Sequence, residues 1–124
     1  MIDLKDIDVS APYLAQLEGP DDGHPVTLVN TFLAPEGQVD KLIDVWRQDS
    51  LVMKKQPGFV SAQLYCGIAG NRALTNVAVW ENLSSLRDAF MNEEFQNTRT
   101  LYPAGSVSQP VVMRAVAVPG VCVA

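Results

Sequence analysis

The sequence predicts an α+β fold, a ferredoxin-like β-α-β-β-α-β protomer, and three observations predict it. Four segments carry strand character, two carry apolar residues at helical spacing, and a tight turn joins the second strand to the third. Residues 1–25 are expected as an N-terminal arm and residues 26–124 as the main domain. In the arm, "APYLAQLEG" suits a short helix, and "GPDDGHP" is dense in turn formers. The first strand is "VTLVNTFLA", by its β-branched content. The first helix follows in "PEGQVDKLIDVWRQDSLVMKKQP", opening at Pro35 and Glu36. Val39, Leu42, Ile43, Trp46 and Met53 form its apolar face, and Pro57–Gly58 ends it.

The second strand, "FVSAQLYCG", sets Phe59, Ser61, Gln63 and Tyr65 against Val60, Ala62, Leu64 and Cys66. Alternation alone leaves open which set faces inward. "IAGN" turns the chain, with Gly70 and Asn71 suited to positive φ, and the third strand runs from Arg72 to Glu81. Asn82 precedes the second helix, "LSSLRDAFMNEEF", whose Leu83, Leu86 and Phe90 share a face and whose path continues toward Tyr102. "PAGS" breaks it, and "PVVMRAVAV" is the fourth strand. In this topology the first and third strands lie side by side in a four-stranded antiparallel sheet, with both helices on one face. The other face is bare. With 48% of the residues apolar in a short chain, that face is expected to be covered by a second copy in a homodimer.

The net charge of −5, with no basic run beyond Lys54–Lys55, argues against nucleic acid and anionic membrane as partners. The acidic N-terminus lacks a signal-peptide layout, and the apolar C-terminal stretch is too short to span a bilayer and is broken by Arg114 and Pro119. Cys66 and Cys122 lack CxxC spacing and are expected as small buried hydrophobes in a reducing, cytoplasmic setting.

Two amides interrupt strands: Asn30 in "TLVNTF" and Asn76 in "TNVAVW". Strand propensity disfavours asparagine, and a buried amide is costly unless satisfied. Period two sets Leu28, Asn30 and Phe32 on one face of the first strand, and Leu74, Asn76, Ala78 and Trp80 on one face of the third. With those faces toward the helices, Asn30, Asn76 and Trp80 line one cavity. Phe32, Phe90 and Met91 are expected in its wall, with Phe95 and Tyr102 as wall or core, and Gln63 and Tyr65 as polar helpers. Arg47 and Arg114 are expected as solvated charges.

Residues 26–118 resemble the antibiotic biosynthesis monooxygenase family, whose members are dimeric α+β barrels of ferredoxin-like protomers. The resemblance is carried by "VNTF", "QPGFVSAQLY", "TNVAVWEN" and "SLRDAFMNEEFQ". An asparagine four residues before the tryptophan is similar to the cofactor-independent anthrone oxygenases of aromatic polyketide tailoring. The resemblance implies catalytic roles for Asn30, Asn76 and Trp80, with no flavin or metal and with O2 and a small aromatic molecule as substrates. Such a substrate supplies its own electron as an enolate or phenolate. No histidine, aspartate or glutamate falls on the pocket face of the first or third strand, so the base is left unassigned.

Two alternatives remain. Haem-degrading relatives share the asparagine and the tryptophan but ligate iron through a histidine on the second helix, where "RDAFMNEEFQ" has none; the only histidine, His24, sits in a turn. A non-oxidative binding protein, isomerase or cyclase would use the same fold.

Overall fold

The computed structural model describes residues 1–124. Five strands form one sheet: β1 (Asp3–Leu4), β2 (Val26–Leu33), β3 (Phe59–Cys66), β4 (Ala73–Trp80) and β5 (Val107–Met113), in the order β1-β5-β2-β4-β3. All pairings are antiparallel except β1 with β5. Helices α1 (Tyr13–Leu17), α2 (Val39–Lys54), α3 (Leu83–Met91) and α4 (Glu93–Thr98) complete the fold. The expected β-α-β-β-α-β order is therefore present, running through β2, α2, β3, β4, α3–α4 and β5. No helix is long and apolar enough to cross a membrane.

The arm adds the fifth strand. β1 lies along the edge of β5, Ile2 is buried in the core, and Tyr13 meets Phe90 edge-on at 5.4 Å. The Gln16 Oε1 accepts from the Val112 N–H at 3.0 Å. Pro110, inside β5, has its missing donor on this same outward side, beyond the end of β1, so the sheet loses no bond there.

Several boundaries differ from expectation. α2 starts at Val39 and not at Pro35, because Gly37 takes a left-handed φ of 74° and turns the chain first. The second helix is broken in two: the extended Asn92 ends α3, and its side chain accepts from Phe95 N at 3.2 Å to cap α4. β5 begins three residues early, where β1 gives it a partner, and stops at Met113. Beyond it Arg114 pairs with Asp22 at 2.9 Å and donates to the Pro25 carbonyl, which draws the chain off the sheet. At the hairpin the positive φ values fall on Ala69 and Gly70, not on Asn71. Cys66 and Cys122 are both free and exposed, contrary to the expectation of burial.

β3 carries the most consequential irregularity. Phe59 pairs with Trp80 but Ser61 with Val79, so Val60 is an extra residue. The bulge turns Phe59 onto the helix face with Ala62 and Leu64, and sends Gln63 and Tyr65 to the bare face opposite Val77 and Thr75. Gly58 makes the approach to β3 possible: its φ is 87°, and a Cβ there would sit 2.2 Å from Ser85 Oγ of α3.

Under the helices the core divides. One cluster gathers Tyr13, Leu17, Val26, Leu28, Ala78, Trp80 and the inward residues of α3; the other gathers Ile2, Phe32, Ala34, Leu42, Val45, Leu74 and Tyr102. Along β2 and β4 the two clusters are separated by Asn30 and Asn76.

Candidate active site

Asn30 and Asn76 are direct cross-strand partners at the middle of the two central strands. Both project beneath α2, and Trp80 lies four residues along β4 on the same face, 1% exposed and edge-on to Phe59 at 5.4 Å. Two adjoining hollows of about 50 Å³ each open over the amides. Asn30, Phe32, Asp49, Met53 and Phe95 wall both; Asn76, Trp80 and Trp46 belong to the first, Phe90, Arg99 and Tyr102 to the second. A surface groove of about 390 Å³ shares Trp46, Ser50, Phe59 and Ala62 with the first hollow, and Arg47 and Lys54 stand on its rim.

The polar atoms of this space are unusual. Asn30 Oδ1, Asn76 Oδ1, Trp46 Nε1 and Trp80 Nε1 are buried, and none has a hydrogen-bond partner within the protein. Buried polar groups are nearly always paired, so four unpaired ones about one hollow mark a surface shaped for something else. An asparagine amide offers two donors and an acceptor, and an indole one donor, so the set can pair with donor and acceptor groups of a bound molecule.

One carboxylate belongs to the site. Asp49 of α2 is 7% exposed and lines both hollows. The Tyr102 hydroxyl donates to its Oδ2, and the Ser50 hydroxyl donates to its Oδ1 at 3.1 Å. Burial pushes the carboxyl pKa up to about 7, against the opposing effect of these two donors. The Tyr102 hydroxyl is pushed far above its usual range by burial and by the neighbouring carboxylate. Arg99 stacks on the Phe90 ring at 5.1 Å, and burial lowers its pKa.

A family model, antibiotic biosynthesis monooxygenase, matches residues 25–101. The chain belongs to that family. Among solved structures it is similar to SnoaB, a cofactor-independent oxygenase from Streptomyces nogalater. The identity is 26% and the TM-score 0.71, covering 78% of this chain and 98% of the other. A mutant of SnoaB with an asparagine changed to alanine aligns at 25% identity, TM-score 0.70, covering 77% and 97%. A candidate monooxygenase from Shewanella loihica aligns at 29% identity, TM-score 0.63, covering 81% and 100%. No curated protein sequence matches. Relative to the family match, β1 and α1 are additions, and Tyr102 lies one residue beyond its end.

Of the residues expected from the sequence, Asn30, Asn76, Trp80 and Phe32 meet in one hollow, and Phe90 lines its neighbour. Gln63 and Tyr65 do not: the Val60 bulge places them on the opposite face of the sheet, with Tyr65 60% exposed. Met91 does not either. It is the residue after Phe90, a third of a turn round α3, and it is 64% exposed. Phe95 and Tyr102 are wall residues. His24 is exposed in its turn, outside both hollows.

Asp49, Met53 and Phe59 were not among the expected site residues. For Asp49 a signal existed: Leu42, Val45, Asp49 and Val52 recur at helical spacing and are the four buried residues of α2. A carboxylate in the buried stripe of a helix is the anomaly to notice.

Proposed function

We propose that this family member is a cofactor-independent monooxygenase that inserts one oxygen atom of O2 into an aromatic, polyketide-like substrate, an anthrone or quinol, through its enolate or phenolate. The observation that carries the reading is the convergence of Asn30, Asn76 and Trp80, with unpaired polar atoms, on one apolar hollow. Triplet O2 reacts slowly with closed-shell molecules. An electron-rich carbanion overcomes this by giving O2 one electron, after which the radical pair joins through a new C–O bond. The hydroperoxide then loses water, so a CH2 group and O2 become C=O and H2O.

The chain's task is to favour the anion and keep water from the radical pair. Donors aimed at a developing oxyanion in a dry site are worth about 2–4 kcal/mol each. The side-chain NH2 groups of Asn30 and Asn76 serve as such donors, and the Trp80 indole supplies a flat surface and an N–H. Hollows of about 50 Å³ admit O2 or water but not a fused ring system. Ring binding therefore joins the two by displacing Met53 and Phe95, which wall both; Met53 has the unbranched, adaptable side chain for it. The outer groove is the way in. We also propose that two copies pair through the bare face, where Tyr65, Leu33 and Met113 are exposed.

The test is oxygen-electrode measurement with purified, metal-free protein over a panel of anthrones and quinols. Uptake is expected, and Asn76→Ala and Trp80→Phe are each expected to lower its rate at least about tenfold. Unchanged rates in both variants overturn the site. No uptake with any acidic polycycle turns the reading to a non-oxidative binding protein, isomerase or cyclase.

A further inference from the structure

Asp49 makes no ion pair. The ion pairs present are Lys55 with Glu94, Arg87 with Asp88, and Arg114 with Asp22. A buried carboxylate without a cation is expensive to keep, and packing alone would favour an apolar side chain at this place in the stripe of α2. Its position gives it a use. It adjoins Asn30 in both hollows, and two hydroxyl donors leave part of its acceptor capacity free.

Besides the unpaired Trp46 indole of α2 and Ser108 of β5, the polar groups that share the hollows with Asp49 are few. From its own helix comes the Ser50 hydroxyl; from β2 and β4 come only the amides of Asn30 and Asn76. From the segment after α4 come the Tyr102 hydroxyl and the Arg99 guanidinium, and from α1 the Tyr13 hydroxyl. The Lys55–Glu94 pair joining α2 to α4 is solvent-exposed. Nothing in this set holds Asp49 permanently ionised.

Resting on the oxygenase reading of the same site, we propose that Asp49 is the proton acceptor that converts the bound aromatic substrate to its anion, with Tyr102 as the positioning residue that holds its carboxylate. The substrate's C–H or O–H bond breaks, the proton passes to a carboxylate oxygen of Asp49, and the electron pair stays on the substrate. O2 accepts one electron and the C–O bond forms. The Asp49 proton then moves to the outer peroxide oxygen. When the same carbon loses its second proton, again to Asp49, the O–O bond breaks and the departing hydroxide leaves as water with that proton. The carbon is oxidised from CH2 to C=O and O2 is reduced to the carbonyl oxygen and water, with no other oxidant. A carboxyl group that titrates near neutrality suits both halves of this exchange, since acceptor and donor forms are both populated.

The experiment separates proton transfer from oxygen chemistry. In oxygen-free buffer at pH 7, wild-type protein is mixed with 1,8-dihydroxyanthrone and the visible absorbance of the anthrone anion is followed. The wild type is expected to form the anion. Asp49→Asn, isosteric and still able to accept from Tyr102, is expected to form it at least about a hundredfold more slowly. Tyr102→Phe removes a donor that holds the Asp49 pKa down, so its rate–pH midpoint moves to higher pH while the plateau rate stays within about threefold. A purely structural role for Tyr102 would not move that midpoint. Equal anion formation by wild type and Asp49→Asn overturns the proposal, and so does its absence in the wild type. If the wild type forms the anion, the variant does not, and air brings no O2 uptake, then Asp49 keeps its role and the oxygenase reading falls.

Discussion

The two ends of the sheet and its middle are built on opposite rules. At one end Leu17, Leu86 and Val26 are sealed among apolar neighbours, and at the other Leu42, Val45 and Leu74 are equally dry. Between them, the same strands carry Asn30, Asn76 and, from α2 above, Asp49. The ends bury apolar surface, which drives folding. The middle leaves amide and indole groups without partners and adds a carboxyl. The difference teaches where stability was given up. The band that joins two good cores is where the unpaired polar groups gather, as the proposed site requires.

That contrast can be broken from either side, and the largest effect is expected at the ends. Leu42→Ala and Leu86→Ala each leave a void in a side-chain environment with no exposure, and each should lower stability by about 2–5 kcal/mol in urea denaturation. The rate per folded molecule should stay within about threefold. A tenfold loss in folded protein would mean that the ends also shape the hollow.

Next in size is a change in the middle that acts through pH. The folded-state pKa of Asp49 is raised to about 7, from 3.8. A raised carboxyl favours the folded state while protonated. Its contribution is complete below the unfolded value and is lost as pH rises through 7. Wild type should therefore lose on the order of 2–4 kcal/mol between pH 4 and pH 8 from this group alone. Asp49→Asn removes that slope: its stability should match wild type near pH 4 and exceed it by a similar amount at pH 8. Parallel curves for the two proteins would show that Asp49 is not desolvated in solution.

Asn76→Leu should produce a smaller gain, about 1 kcal/mol, by replacing an unpaired buried amide with a side chain that joins the two cores. The rate of O2 uptake should fall at least about tenfold. Opposite signs for stability and activity at one position are what the contrast between ends and middle requires.

How much of this was legible in the sequence follows the same division. The strands and helices were readable because their signals are local: β-branched alternation in "VTLVNTF", the cap at Asn82, the stop at Pro57–Gly58. The facing of Asn30 and Asn76 was readable because topology and period two together fix it. The bulge at Val60 was not, because it depends on pairing with β4, and it alone reversed the assignment of Gln63 and Tyr65. Neither was β1, a two-residue strand whose pattern means nothing apart from the edge of β5. Asp49 was visible in the stripe of α2, but only the fold brings the Tyr102 hydroxyl to it across 53 residues.

The smallest effect is expected on the other face of the same two strands. Thr31 and Thr75 are one residue from the amides, are paired directly across β2 and β4, and share a hydroxyl hydrogen bond at 3.0 Å. Because successive side chains alternate in direction, this pair meets neither Asp49 nor Trp80. Thr75→Val keeps the branched shape and the strand propensity and removes one cross-strand bond, worth about 0.2–1 kcal/mol. The rate of O2 uptake should not change. A neighbouring position thus separates the two faces of a single strand: Asn76→Leu should lower activity strongly and Thr75→Val should leave it alone. A rate loss in Thr75→Val comparable to that in Asn76→Leu would mean that the working site extends through the sheet, and that the hollow under α2 is only part of it.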